Sequence, residues 1–270
     1  MSTTTDVPEV LRLDGVFAGY GPFQALFGVS FTVHRAEAVA LIGPNGAGKT
    51  TVARVASGLL APSDGRVMVD GIDFSDRPAH DFARAGVAHA PEGRAVFATL
   101  NVEENLALAF RREFGRSGLR AALDRAYEMF PKLGQRRRQN AGSLSGGEQR
   151  MLTLARVLVL EPKLLIADEL SLGLAPIITN EVYGVLERIL ATGTSLLIVE
   201  QQVDHALALA HQVVVLERGG VVMSGRPDRE EIVKWMFEDA DEAAILAEHV
   251  PVPDETTSDE AVVGESTEAP

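Results

Sequence analysis

The chain has 270 residues, 46% of them hydrophobic, which fits one α/β domain with an appended subdomain better than two independent domains. It contains no cysteine, which excludes disulfides, thiolate metal sites and a thiol nucleophile, and its formal charge of −13 is localised, since eleven acidic residues and no Lys or Arg lie between Glu238 and Pro270 and the rest of the chain carries only −2. The N-terminal MSTTTDVPEV has neither a basic segment nor an apolar core of signal-peptide length, and no apolar run approaches the roughly 18 residues of a membrane span, so a cytosolic chain is expected whose membrane role comes through a partner.

Residues 1–9 read as a flexible N-terminus, and the domain proper is expected over 10–237. Strands around Leu11 to Phe17 and Val29 to Val33 read as antiparallel. The run Ala38-Val39-Ala40-Leu41-Ile42 is a strand candidate, and it leads directly into GPNGAGKT at Gly43 to Thr50, which fits G-x-x-x-x-G-K-[ST] at every specified position. A helix-competent stretch from Lys49 to Ser57 follows. Gly43, Gly46 and Gly48 leave no Cβ in the way, so backbone N–H groups can curl around phosphate oxygens at a helix start whose dipole favours them. Lys49 then reaches the β- and γ-phosphates, and the Thr50 hydroxyl is placed to hold Mg²⁺. The expected ATP contacts are Gly43, Pro44, Asn45, Gly46, Ala47, Gly48, Lys49, Thr50 and Thr51.

A helical insertion is expected from about 101 to 160, because Asn101-Val102-Glu103-Glu104 and Ser145-Gly146-Gly147-Glu148 both have the spacing of a helix-starting capping box. Eleven basic residues stand against six acidic ones between Asn101 and Leu160, including Arg136-Arg137-Arg138. That excess reads as a solvated helical face, a surface near anionic lipid headgroups or a permease loop, or a nucleic-acid contact; no aromatic interleaving supports the last, and no nucleic-acid partner is expected. Ser145-Gly146-Gly147 at a helix start makes a second anion-binding site.

Leu164 to Ala167, Asn180 to Ala191 and Ser195 to Val199 read as strand, helix and strand, a βαβ unit. The helix sets Val182, Val185, Leu186, Ile189 and Leu190 in one apolar stripe, with Gly193 past its end. Asp168 emerges at the carboxyl end of the first strand, where ligands bind in open α/β sheets, and can hold Mg²⁺. Glu169 is the candidate to orient and polarise an attacking water. Arg218-Gly219-Gly220 reads as a late hairpin turn, and 238–270 as an acidic, disordered tail.

LSGGEQR at Leu144 to Arg150, together with GPNGAGKT and LLIADE in that order, resembles the ATP-binding-cassette (ABC) ATPases over residues 10 to 230. PEGRAVF at Pro91 to Phe97, NVEENL at Asn101 to Leu106, SLGLAP at Ser171 to Pro176 and VEQ at Val199 to Gln201 are similar to the ATPase subunits of branched-chain amino acid importers. The resemblance implies a P-loop NTPase fold of the ABC type: a mixed sheet core, an N-terminal antiparallel β subdomain and an inserted helical subdomain. It implies ATP and Mg²⁺ as cofactors and Glu169, Lys49 and Gln201 as the catalytic set. Thr50 and Asp168 would hold the metal, and Tyr20 would stack on adenine. The signature Leu144, Ser145, Gly146, Gly147 and Glu148 would face the phosphate loop of a neighbouring chain in a head-to-tail dimer. Implied partners are a second cassette, a paralogue, two membrane permease subunits and, indirectly, an extracytoplasmic substrate-binding protein. The chain would then be peripheral on the inner face of the cell membrane.

Three positions depart from the common cassette pattern. Glu92 stands where a glutamine usually senses Mg²⁺ and contacts the permease, Leu170 where a proline follows the catalytic glutamate, and Gln201 where a switch histidine is usual. Glu92 and Gln201 are shared by the branched-chain subfamily. Leu170 is not, and its lost ring restriction is expected to loosen the turn holding Glu169. His89, His205 and His211 are alternatives for the missing histidine, each expected at the surface. The reading is an importer ATPase for branched-chain or other hydrophobic amino acids; urea, amides or another small polar nutrient is a rival cargo, and a soluble cassette ATPase in cofactor assembly or nucleic-acid transactions a rival class.

Overall fold

The structure is a computed structural model that describes residues 7–226 except Arg94 and Gln202. The tail expected over 238–270 lies outside the described residues. Near the N-terminus β1 (Glu9–Tyr20) and β2 (Phe23–His34) pair antiparallel across a turn at Gly21. β4 (Asp64–Val69) pairs antiparallel with the other edge of β1, β3 being the strand Ala38–Ile42, and β5 (Ile72–Asp73) completes a four-stranded sheet in the order β2-β1-β4-β5. Both expected N-terminal strands are present and antiparallel. They run longer than the apolar signal because backbone pairing continues to Tyr20↔Phe23 beside the turn, where the side chains are exposed.

A second sheet has the order β10-β9-β3-β8-β7-β6, with β6 at Val87–Ala90, β7 at Leu164–Asp168, β8 at Ser195–Glu200, β9 at Gln212–Glu217 and β10 at Gly220–Gly225. Pairing from β9 through β6 is parallel, and β10 returns antiparallel across the expected Arg218-Gly219 turn. Every residue of β3, β7 and β8 is buried, as their unbroken apolar runs require of strands covered on both faces. α1 (Lys49–Ala56) packs against β1 on one side and β7 and β8 on the other, so Val52 and Val55 join Leu11, Leu26, Val67, Ile166 and Leu197 in one core shared by the two sheets. Each such buried Leu or Val stabilises the fold by about 1.5–3 kcal/mol.

The remaining helices are α2 (Ala79–Ala85), α3 (Val102–Met129), α4 (Pro131–Gln135), α5 (Gly146–Leu158), α6 (Pro176–Ala191) and α7 (Val203–Leu209). Both expected capping boxes form: the Glu104 N–H donates to Asn101 Oδ1 at 2.9 Å and the Asn101 N–H to Glu104 Oε2 at 2.8 Å, with Ser145 and Glu148 repeating the pattern. α3 is kinked at Gly115, whose φ of 63° and ψ of −166° leave the helix. α6 starts at Pro176 rather than Asn180, because a proline's missing N–H costs nothing at the first helical position. α2 is too short to announce itself by periodicity.

Candidate functional site

The parallel register decides which loops meet. Ile42 pairs with Glu200 and Asp168 with Val199, so β3, β8 and β7 end level and release Gly43, Gln201 and Glu169 at one edge of the sheet. β6 ends alongside, with Ala90 opposite Ala167, and releases Pro91 and Glu92. By strand spacing alone the ends of β3 and β6 are about 14 Å apart, and no hydrogen bond or ion pair joins Glu92 to the phosphate loop among the described residues.

The loop between β3 and α1 turns tightly. Gly48 has φ +103°, and a Cβ there would stand 2.9 Å from Leu26 Cδ2 and 3.0 Å from the Ala25 carbonyl, so only glycine fits between α1 and the β2 hairpin. Lys49 is buried at 3% exposure. Its Nζ donates to the carbonyls of Gly43 at 2.9 Å and Pro44 at 3.0 Å and stands 3.7 Å from Glu169 Oε1. Burial lowers its pKa, an effect opposed by the charges of Glu169, Asp168 and Glu200. Thr51 is buried behind it.

Asp168 is 1% exposed, and Thr50 Oγ1 donates to its Oδ1 at 3.4 Å. Its Oδ2 is buried without a hydrogen-bond partner. A hydroxyl and a carboxylate with an unsatisfied oxygen, at the start of a phosphate-loop helix, form the oxygen donor set that a hard divalent cation takes. His89 lies behind Asp168, contrary to the surface position expected for it: its side chain is 8% exposed, Nδ1 lies 3.1 Å from Ser57 Oγ and Nε2 lies 3.8 Å from Asp168 Oδ2. His211 Nδ1 accepts the Ala38 N–H at the opposite end of β3, and His205 stacks on Tyr183 with ring centroids 5.0 Å apart.

Glu169 begins a turn at φ +46°, in the left-handed region that costs a side chain roughly 1–3 kcal/mol. Several contacts hold the turn that Leu170 enters. The Glu169 N–H donates to the Val199 carbonyl at 2.8 Å, and Leu170 is 1% exposed. Arg150, inside LSGGEQR, is 5% exposed and donates through Nη2 to the Glu169 carbonyl at 3.1 Å and through Nη1 to the carbonyls of Pro91, at 3.2 Å, and Gly93. Burial lowers its pKa while Glu92 and the other carboxylates nearby oppose the shift. One guanidinium thus ties the Glu92 loop to Glu169, a link that no local pattern announces.

The signature is built at the start of α5. Ser145 caps α5, and its Oγ donates to Glu148 Oε2 at 2.9 Å, while Arg136 Nε stands 2.9 Å from Glu148 Oε1. Leu144 is buried, and a Cβ on Gly147 would run into Ile178 of α6. No hydrogen bond or ion pair joins Leu144 to Glu148 with Gly43 to Thr51 among the described residues. Tyr20 is exposed at the end of β1, where Arg54 of α1 donates to its hydroxyl at 3.0 Å. Gln201 is exposed at the end of β8.

The family model described as ABC transporter matches residues 26–171. The chain is 41% identical over 215 residues to the high-affinity branched-chain amino acid transport ATP-binding protein BraG of Pseudomonas aeruginosa, covering 79% of this chain and 91% of that one. It is 33% identical over 220 residues to the "Probable branched-chain amino acid transport ATP-binding protein LivF" of Archaeoglobus fulgidus, covering 80% and 92%. Among solved structures, the ADP conformation of MJ1267, an ATP-binding cassette of an ABC transporter, superposes with a TM-score of 0.74 at 27% identity over 88% of this chain and 98% of that one.

Proposed function

The chain belongs to the ABC transporter family, and on that premise we propose that it is the ATP-hydrolysing subunit of an importer for branched-chain or other hydrophobic amino acids. The cargo reading is supported by the name of BraG at 41% identity and favours amino acids over urea or amides. One observation carries the chemistry: the Lys49 ammonium, held by two loop carbonyls, lies 3.7 Å from the Glu169 carboxylate where β3 and β7 end. Phosphate oxygens would take over the contacts of those carbonyls. The backbone N–H groups of the loop and Lys49 then bind and orient the β- and γ-phosphates, and Glu169 positions a water and accepts its proton. Thr50 and Asp168 would hold Mg²⁺, which supplies charge neutralisation at the phosphates when bound.

No hydrogen bond or ion pair joins the signature to the chain's own phosphate loop among the described residues, which supports a head-to-tail arrangement in which a second cassette completes the site. Gln201 can donate a hydrogen bond to phosphate but cannot become a cation as imidazole can, and the productive assembly pairs this chain with a paralogue carrying a different residue there. No described helix is long and apolar enough to cross a membrane, so two permease subunits carry the cargo path and hold the chain at the inner face of the membrane. An extracytoplasmic binding protein delivers the cargo to them.

The test is turnover of Glu169→Gln in the assembled transporter. ATP affinity is expected to persist while kcat falls by about 10² or more, roughly 2.7 kcal/mol of barrier. Undiminished turnover removes Glu169 as the base. Labelled leucine uptake that depends on this chain supports the cargo, and dependence of urea uptake instead reassigns it.

A further inference from the structure

Glu200 closes β8 one residue before Gln201, and the phosphate chemistry leaves it without a role. Its carboxylate is only 2% exposed, a costly position for a charge unless specific donors meet it, and burial raises its pKa against the opposing hydrogen bonds of Ser171. Ser171 gives it two hydrogen bonds, and the Tyr183 hydroxyl of α6 faces the same carboxylate. The Ser171 N–H reaches Glu200 Oε1 at 3.1 Å and the Ser171 hydroxyl reaches Oε2 at 2.8 Å. Ser171 lies two residues past Glu169, in the turn that begins at φ +46° and has Leu170 instead of a proline. The turn is also anchored by the Glu169 N–H on Val199, by Arg150 and the Leu172 N–H on the Glu169 carbonyl, by the Leu174 N–H on the Ser171 carbonyl and by buried Leu170; the Glu200 contacts are the ones that tie Ser171 to the end of β8.

We propose that Glu200 is a positioning residue for hydrolysis: by gripping both donors of Ser171 it fixes the turn that aims the Glu169 carboxylate and joins that turn to Gln201, its own neighbour. A proline after Glu169 would stiffen the turn through its ring; here a buried carboxylate at the end of the neighbouring strand does so through hydrogen bonds. The inference rests on the reading of Glu169 as the base.

The experiment is a double-mutant cycle on ATP turnover by the full-length chain in the assembled transporter, with Glu200→Gln, Glu169→Gln, the double variant and Ser171→Ala. Glu200→Gln preserves side-chain shape but accepts through one oxygen only. It is expected to melt with the wild type, to keep KM for ATP within about twofold and to lower kcat about tenfold. In the Glu169→Gln background the same substitution is expected to lower the residual rate no further, because its effect passes through the missing carboxylate. A wild-type kcat for Glu200→Gln, or a loss that multiplies with that of Glu169→Gln, overturns the proposal. If Glu200→Gln does not fold, Ser171→Ala decides: a kcat loss absent from the Glu169→Gln background supports it, and a wild-type kcat refutes it. Should Glu169→Gln alone leave turnover intact, the failure belongs to the base assignment, and the positioning role falls with it.

Discussion

Lys49 is a cation packed at 3% exposure, which a fold without phosphate to bind has no reason to keep. Its folded pKa lies below the ordinary 10.5, chiefly from burial. Between the folded value and 10.5 the unfolded chain therefore binds more protons, so stability rises with pH across that window and the penalty is fully present below it. In nucleotide-free melts, the stability of Lys49→Met minus that of the wild type is expected to shrink as pH climbs toward 10.5. Tyr127, pushed up to about 12 by burial and the charge of Glu103, titrates alike in both chains and cancels in the difference. A difference that stays flat with pH would show that the charges of Glu169 and Asp168 offset burial completely.

The start of α3 anchors the segment that follows the Glu92 loop, and one asparagine makes the anchor. Asn105 is fully buried, accepts the Phe97 N–H at 2.8 Å and donates to the carbonyls of Phe97 at 3.0 Å, Leu100 at 3.2 Å and Asn101 at 2.9 Å. Its side chain thereby pins the segment 97–101, which follows the Glu92 loop, onto the first turn of the helix. Asn105→Ala removes the acceptor of the Phe97 N–H and three donations to carbonyls that each keep a backbone partner, and is expected to cost about 1–2 kcal/mol in urea denaturation, whereas Arg116→Ala on the exposed face stays within about 0.5 kcal/mol. Equal effects of the two would mean that water replaces the lost bonds. The capping box that begins α3 was legible because its two partners are three residues apart; the Asn105 ties depend on how the loop before the helix folds back, and its identity within NVEENL carried no such information.

At the scale of the whole molecule the charge is unevenly spread, and all but −2 of the −13 belongs to residues 238–270. The stretch from Val250 to Pro270 is rich in Pro, Thr, Ser and Glu, a composition expected not to build a core. A chain ending at Val250 is therefore expected to keep its melting temperature and its ATP affinity, measured by calorimetry and nucleotide titration. Unfolding or lost affinity on truncation would give the tail a role in the domain.

The sequence by itself determined the phosphate loop, the acidic pair after β7, both capped helices and the βαβ alternation, because each is a contiguous pattern whose backbone geometry is set by residues within a few positions of one another. Only the tertiary structure decided that Arg150 reaches Pro91, 59 positions away, and Glu169, 19 away, and that Glu200 meets Ser171 across 29. It likewise buried His89 behind Asp168, although nothing near His89 in the chain marks it for that role. The physical reason is the strand order β3-β8-β7-β6: parallel pairing brings together loop residues from distant segments at one sheet edge, and a side chain's partner there depends on which strands are neighbours, which no local window encodes.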